Sequence, residues 1–153
     1  MSNSILLNQK KQNYDVFRSL VDGSITSIDI PFGTHSIKGM AFYNCKSITS
    51  IKIPNTVTTI DAWAFYNCES LATIEIPNTV TSIGNSSFKN CKLLTSIEIP
   101  SGVTTLENTM FENCISLTNV KLPSSLTTID SVAFSGCSSL TSIEIPSSVT
   151  SIG

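Results

Sequence analysis

The chain has 153 residues, a formal net charge of −2 and only 13% charged residues. That balance excludes a basic footprint for nucleic acid and a polybasic patch for membranes. Hydrophobic residues reach 41%, which excludes a disordered chain, and the abundant Ser, Thr, Asn and Ile suit short β segments joined by turns.

From the N-terminus, no apolar run approaches the roughly 18–20 residues that span a bilayer. The opening stretch has only the triplet Ile5, Leu6 and Leu7 before polar residues, and lacks the charged and long apolar regions of a secretory leader. A cytoplasmic location is expected, with the cell surface or secretion as the alternative if a leader has been removed. Tyr14, Val16, Phe17, Leu20 and Val21 then follow with helix-like spacing. Residues 1–24 read as a mobile start followed by a degenerate helical cap, which solenoids need at their ends. Phe17 lies 14 residues before Pro31, whereas Phe65 lies 12 before Pro77, so the first unit carries a two-residue shift.

From Ile25 onward the chain is periodic. Phe42, Phe65, Phe88, Phe111 and Phe134 are spaced by 23 residues, as are Cys45, Cys68, Cys91, Cys114 and Cys137. The six prolines, from Pro31 to Pro146, keep the same period. Apolar columns run through Ile28, Ile51, Ile74, Ile97, Val120 and Ile143, and through Ile37, Ile60, Ile83, Leu106, Ile129 and Ile152. The segment Ile74, Glu75, Ile76 alternates as a strand with one buried face does, and Pro77 ends it because proline donates no ladder hydrogen bond. The stretch from Asn85 to Cys91 is too short for a long helix, and a helical or 3₁₀ turn there would return the chain to the next strand. No single unit can bury its apolar residues, so units stack into one core, about 4.8 Å apart. A period of 20–29 residues marks a repeat solenoid, α/β or mainly β.

These residues resemble the BspA-like, treponemal class of leucine-rich repeats, whose pattern is Leu-x-x-Ile-x-Ile-Pro-x-x-Val-x-x-Ile-x-x-x-Ala-Phe-x-x-Cys. The match covers residues 25–153, about five repeats and a truncated last one. Ala41, Ala64 and Ala133 precede phenylalanine as the pattern asks; Ser87 and Met110 depart from it, and Met110 calls for local repacking. Gly136 replaces the asparagine that precedes the other cysteines. The resemblance implies a right-handed leucine-rich repeat solenoid with a parallel β-sheet on the concave face and short helical or 3₁₀ turns opposite. Its relatives include surface proteins that bind host molecules and intracellular proteins that bind partners.

The chain stops in mid-repeat, which reads either as a fragment of a longer array or as an open end covered by another copy; in the second case self-association runs through Val149 and Ile152. Catalytic chemistry is not indicated. Every cysteine occupies one repeat position, where it serves as a small hydrophobe, and no paired zinc ligands occur. His35, the only histidine, has no nucleophile or carboxylate signature around it. Asn85-Ser86-Ser87 matches a glycosylation acceptor, a pattern that chance explains in so Ser-rich a chain. No enzyme, cofactor, metal or nucleic-acid partner is expected, nor direct membrane insertion.

Binding information should lie in exposed departures from the repeat. One candidate is the charged column Asp29, Lys52, Glu75, Glu98, Lys121 and Glu144, which nearly alternates in sign. Opposite charges on adjacent strands support one another by about 0.2–1 kcal/mol, so the column reads first as a salt ladder. The like-charged step from Glu75 to Glu98 could receive a partner's Lys or Arg. The other candidate is aromatic. Met40 and Trp63 share a column later filled by Ser86, Thr109 and Val132, and Tyr43 and Tyr66 share one later filled by Lys89, Glu112 and Ser135. These four form either an interface anchor or a surface packed on the N-terminal cap. The expected function is a non-catalytic protein-interaction or scaffolding module. The alternatives are a self-assembling structural subunit and an adhesin fragment that binds host proteins.

Overall fold

The computed structural model describes residues 4–6, as backbone, and residues 25–153. Most of the segment read as a helical cap, including Tyr14 to Val21, lies outside the described residues. Ser4–Leu6, within the stretch read as a mobile start, forms strand β1.

Each coil carries two short strand positions, and every strand pairs in parallel with its equivalent 23 residues away. The first ladder contains β1 (Ser4–Leu6), β2 (Ser27–Asp29) and β4 (Ser50–Lys52), and then β7 (Ser96–Glu98) with β9 (Asn119–Lys121). The second contains β3 (Ser36–Ile37), β5 (Thr59–Ile60) and β6 (Ser82–Ile83), and then β8 (Thr105–Leu106), β10 (Thr128–Ile129) and β11 (Ser151–Ile152). This is a leucine-rich-repeat-type β-solenoid of about five turns. The sequence reading anticipated the first ladder. It treated the Ile37 column as core without recognising the second.

Proline sets the corner between the two ladders. Its carbonyl accepts a hydrogen bond from the residue three positions on, as in Val57 N–H to Pro54 O at 3.1 Å and Val80 N–H to Pro77 O at 3.0 Å. The missing proline N–H breaks no pair there, because the strand has already ended.

The helical or 3₁₀ turns expected on the third side are absent: no helix occurs among the described residues. Two features of the backbone explain the correction. First, each coil places two residues at positive φ, Met40 at 63° and Asn44 at 62° in the first regular coil, Trp63 at 57° and Asn67 at 58° in the next. A right-handed helix cannot run through such residues. Second, alternate N–H groups leave the coil. Met40, Phe42 and Asn44 donate to the carbonyls of Ala62, Ala64 and Tyr66 at 3.2, 2.8 and 2.8 Å, while Ala41, Tyr43 and Cys45 donate within their own coil. The third side is therefore also cross-linked from coil to coil.

Inside, the phenylalanines stack in one spine with ring centroids 5.2–5.6 Å apart and rings nearly parallel. Ile, Leu and Val columns fill the remaining core. Met110 is fully buried, as is Ser87 at the equivalent place, where its hydroxyl donates to the Gly84 carbonyl. The coil of Met110 keeps its hydrogen bonds, including Phe88 N–H to Met110 O at 3.0 Å, so a methionine is accommodated there.

Asparagine at the second positive-φ position has a physical reason. Asn tolerates this conformation better than most side-chain-bearing residues. Its amide also bridges coils: Asn67 Nδ2 donates to Asn44 Oδ1 at 2.7 Å, Asn90 to Asn67 at 2.7 Å, and Asn113 to Asn90 at 3.1 Å. Gly136 ends this ladder at φ 73°, keeping the backbone conformation without the amide.

Candidate functional site

The five cysteines are buried, and none forms a disulfide. In four of them the thiol donates to the carbonyl of the phenylalanine one coil earlier, from Cys68 to Phe42 O at 3.2 Å through to Cys137 to Phe111 O at 3.1 Å. Burial pushes the Cys68, Cys91, Cys114 and Cys137 thiols up from their ordinary pKa, because a thiolate there would lose its hydration. They are packing groups, far from the activated thiolate that nucleophilic chemistry requires. Among the described residues no three His, Cys, Asp or Glu side chains converge on a metal position, and no helix is long and apolar enough to cross a membrane.

His35 is exposed, with Nδ1 3.3 Å from the Thr56 carbonyl oxygen. Ser86 and Ser87 of the glycosylation pattern are buried, and the half-buried Asn85 accepts the Trp63 N–H at 3.1 Å.

The charged column is brought into register only in part. Lys121 Nζ bonds Glu98 Oε1 at 2.7 Å. Asp29 lies opposite Lys52 in the ladder without an ion pair between them. At the third coil the ladder is interrupted: Thr73 reaches Ser96 in an isolated bridge, and Ile74 to Ile76 form no strand. Ile30 and Ile99 N–H groups donate to the Lys52 and Lys121 carbonyls, both at 3.0 Å, but the corresponding bonds from Ile53 and Ile76 are not made. Ile76 is correspondingly half-buried where Ile30, Ile53 and Ile99 are buried. The break lies between the second and third coils, where Lys52 faces Glu75, while the like-charged step from Glu75 to Glu98 keeps the Thr73–Ser96 bridge and the Thr95 N–H to Ala72 O bond at 3.1 Å. An open concavity of about 630 Å³ lies over this place, lined by Thr73, Glu75, Asn78, Ser96, Glu98 and Asn119, with Lys121 at its rim.

Elsewhere opposite charges meet on neighbouring coils. Lys46 and Lys92 both reach Glu69, at 2.8 and 2.9 Å, and Lys89 meets Glu112 at 2.6 Å. Hydrogen bonds from Lys46 and then Lys92 hold the Glu69 carboxyl below its usual range.

The aromatic candidates lie on the third side. Met40 and Trp63 are 45% and 39% exposed, and Tyr43 stacks on Tyr66 with centroids 4.8 Å apart. None of the four lines the strand-face concavity, so the two candidate surfaces are separate. Phe32, 70% exposed, was missed. Its signal was available, since Asn55, Asn78, Ser101, Ser124 and Ser147 follow it in an otherwise polar column. In the last coil Val149 is half-buried and Ile152 is 66% exposed.

Comparison with known proteins supplies the wider setting. A family described as "BspA type Leucine rich repeat region" matches in six copies over residues 13–127 and 64–153. Comparison with curated proteins finds no match. Among solved structures, a leucine-rich cell surface protein from Faecalibacterium prausnitzii A2-165 is 41% identical with a TM-score of 0.78, covering 84% of this chain and 35% of its own. A leucine-rich repeat protein from Bacteroides ovatus is 32% identical with a TM-score of 0.72, covering 84% and 39%. A leucine-rich repeat protein from T. pallidum is 28% identical with a TM-score of 0.59, covering 76% and 65%. The chain thus spans well under half of the first two proteins.

Proposed function

This chain belongs to the BspA-type leucine-rich repeat family, and from that premise we propose that it is a non-catalytic protein-interaction module whose anchor is the aromatic patch of its first two regular coils. The carrying observation is the exposure of Met40 and Trp63 in a column where later coils hold Ser86, Thr109 and Val132. The core of the repeat does not require them. Trp and Tyr are rigid, amphipathic side chains enriched among the residues that dominate interface energies.

The test compares proteins retained by the immobilised chain with those retained by a Trp63→Ser, Tyr66→Lys double variant. Circular dichroism checks that both are folded. A retained set that is lost with the double variant supports the reading. An identical set from both overturns it.

The F. prausnitzii relative is described as a cell surface protein, and a surface location is adopted here in place of the cytoplasmic one expected from the sequence. Buried thiols fit it, since burial suppresses the thiolate through which cysteine oxidises. Protease treatment of intact cells should remove the chain; protection until lysis would return it to the cytoplasm.

A further inference from the structure

We propose that the strand-face concavity of the third to fifth coils binds an extended, basic peptide segment of a protein partner, with a Lys or Arg side chain seated between Glu75 and Glu98. This rests on the protein-binding reading above but uses a different surface.

Three observations carry it. The concavity, about 630 Å³, is broad and open enough for a few residues of extended chain. Its wall is mixed: the Thr73 and Ser96 hydroxyls and the Asn78 and Asn119 amides can exchange hydrogen bonds with a peptide backbone, between apolar surface from Ile74, Ile76 and Ile97. Its charge is acidic and incompletely neutralised. Glu98 is bonded to Lys121, while Glu75 makes no salt bridge among the described residues. Glu69 and Glu112, by contrast, already hold lysines of neighbouring coils.

Glu75 and Glu98 sit at equivalent positions of adjacent coils joined by the Thr73–Ser96 bridge, so a cation seated between them removes a like-charge repulsion. A monovalent cationic side chain fits this place better than a metal ion, because no third metal-binding side chain joins the two carboxylates. An acidic or phosphorylated segment would meet uncompensated charge.

The experiment uses the full chain, labelled with nitrogen-15, and a short synthetic threonine peptide carrying arginine at alternate positions. The same peptide with glutamate is the control. The arginine peptide should shift amide signals of residues 73–78, 96–98 and 119–121, and the shifts should fade at high salt. Glu75→Gln and Glu98→Gln should each weaken binding about tenfold. Lys121→Ala, by freeing Glu98, should strengthen it several-fold.

Shifts spread over all the surface carboxylates, or binding unchanged in Glu75→Gln, would overturn the proposal. Both glutamates are exposed, so these variants should fold; unchanged circular dichroism checks it. Trp63→Ser should leave the peptide bound. Loss of partner retention in that variant alone, with peptide binding intact, separates the two readings.

Discussion

Raising the pH from 7.5 to 9.5 should destabilise this protein through its cysteines. Cys68, Cys91 and Cys114 are 0% exposed, and each donates its proton to a phenylalanine carbonyl. In the unfolded chain a thiol has a pKa of about 8.5; in the folded chain burial holds it higher. A raised folded pKa means that the stabilisation is complete below the unfolded value and is lost as pH climbs toward the folded one. One unit above 8.5 the unfolded state has gained about 1.4 kcal/mol per thiol. Three thiols give a loss of about 4 kcal/mol, a large part of the ~5–15 kcal/mol that holds a domain together. Urea titrations followed by Trp63 fluorescence under reducing conditions would measure it. Cys91→Ala is the internal control. It should be less stable than the parent at pH 7.5, by about 1–3 kcal/mol for the lost sulfur and hydrogen bond. Its further loss between the two pH values should be smaller by about one third. An equal pH-dependent loss in both proteins would refute the reasoning. So would cysteine-reagent labelling of the folded chain at the unfolded rate.

Three more outcomes follow from the packing. Phe88 stacks between Phe65 and Phe111 and is fully buried, whereas Phe134 is half-buried with one stacked neighbour; Phe88→Ala should cost about 3–5 kcal/mol and Phe134→Ala distinctly less, by urea denaturation. Gly136→Ala places a side chain at φ 73° against Asn113 Oδ1 and should lower stability by about 1–2 kcal/mol, while Gly136→Asn should cost less because Asn44, Asn67, Asn90 and Asn113 already occupy that conformation. The Glu69 carboxyl is held down by two lysines, so its contribution is present above the unfolded carboxylate pKa and disappears as pH falls through the lower folded value. Thermal melts of Glu69→Gln should therefore differ from the parent at neutral pH and converge with it in acid.

Much of the candidate surface was legible because a repeat supplies its own control. Met40 and Trp63 stood out against Ser86, Thr109 and Val132, and the structure leaves both exposed. Phe32 stood out in the same way, against Asn55, Asn78, Ser101, Ser124 and Ser147, and is 70% exposed. The like-charged step at Glu75 and Glu98 was visible as well. The break in the first ladder between the second and third coils was not, because a lost ladder bond depends on the distance between two backbones rather than on the identity of either residue.

The sequence by itself determined the coil length, the order of the columns and the burial of Phe and Cys. Identical residues spaced by 23 can share one core only if equivalent positions stack. Tertiary structure decided how each coil closes. The second strand ladder is two residues long in every coil, too short for alternation to reveal. The third side is held by hydrogen bonds from one coil to the next, at 2.8 Å from Phe42 to Ala64 and from Asn44 to Tyr66. Those bonds hold Met40 and Trp63, which donate to the Ala62 and Asn85 carbonyls, at positive φ, against their own preference. Local propensity favours a turn of helix there; the neighbouring coil, present only after folding, overrides it.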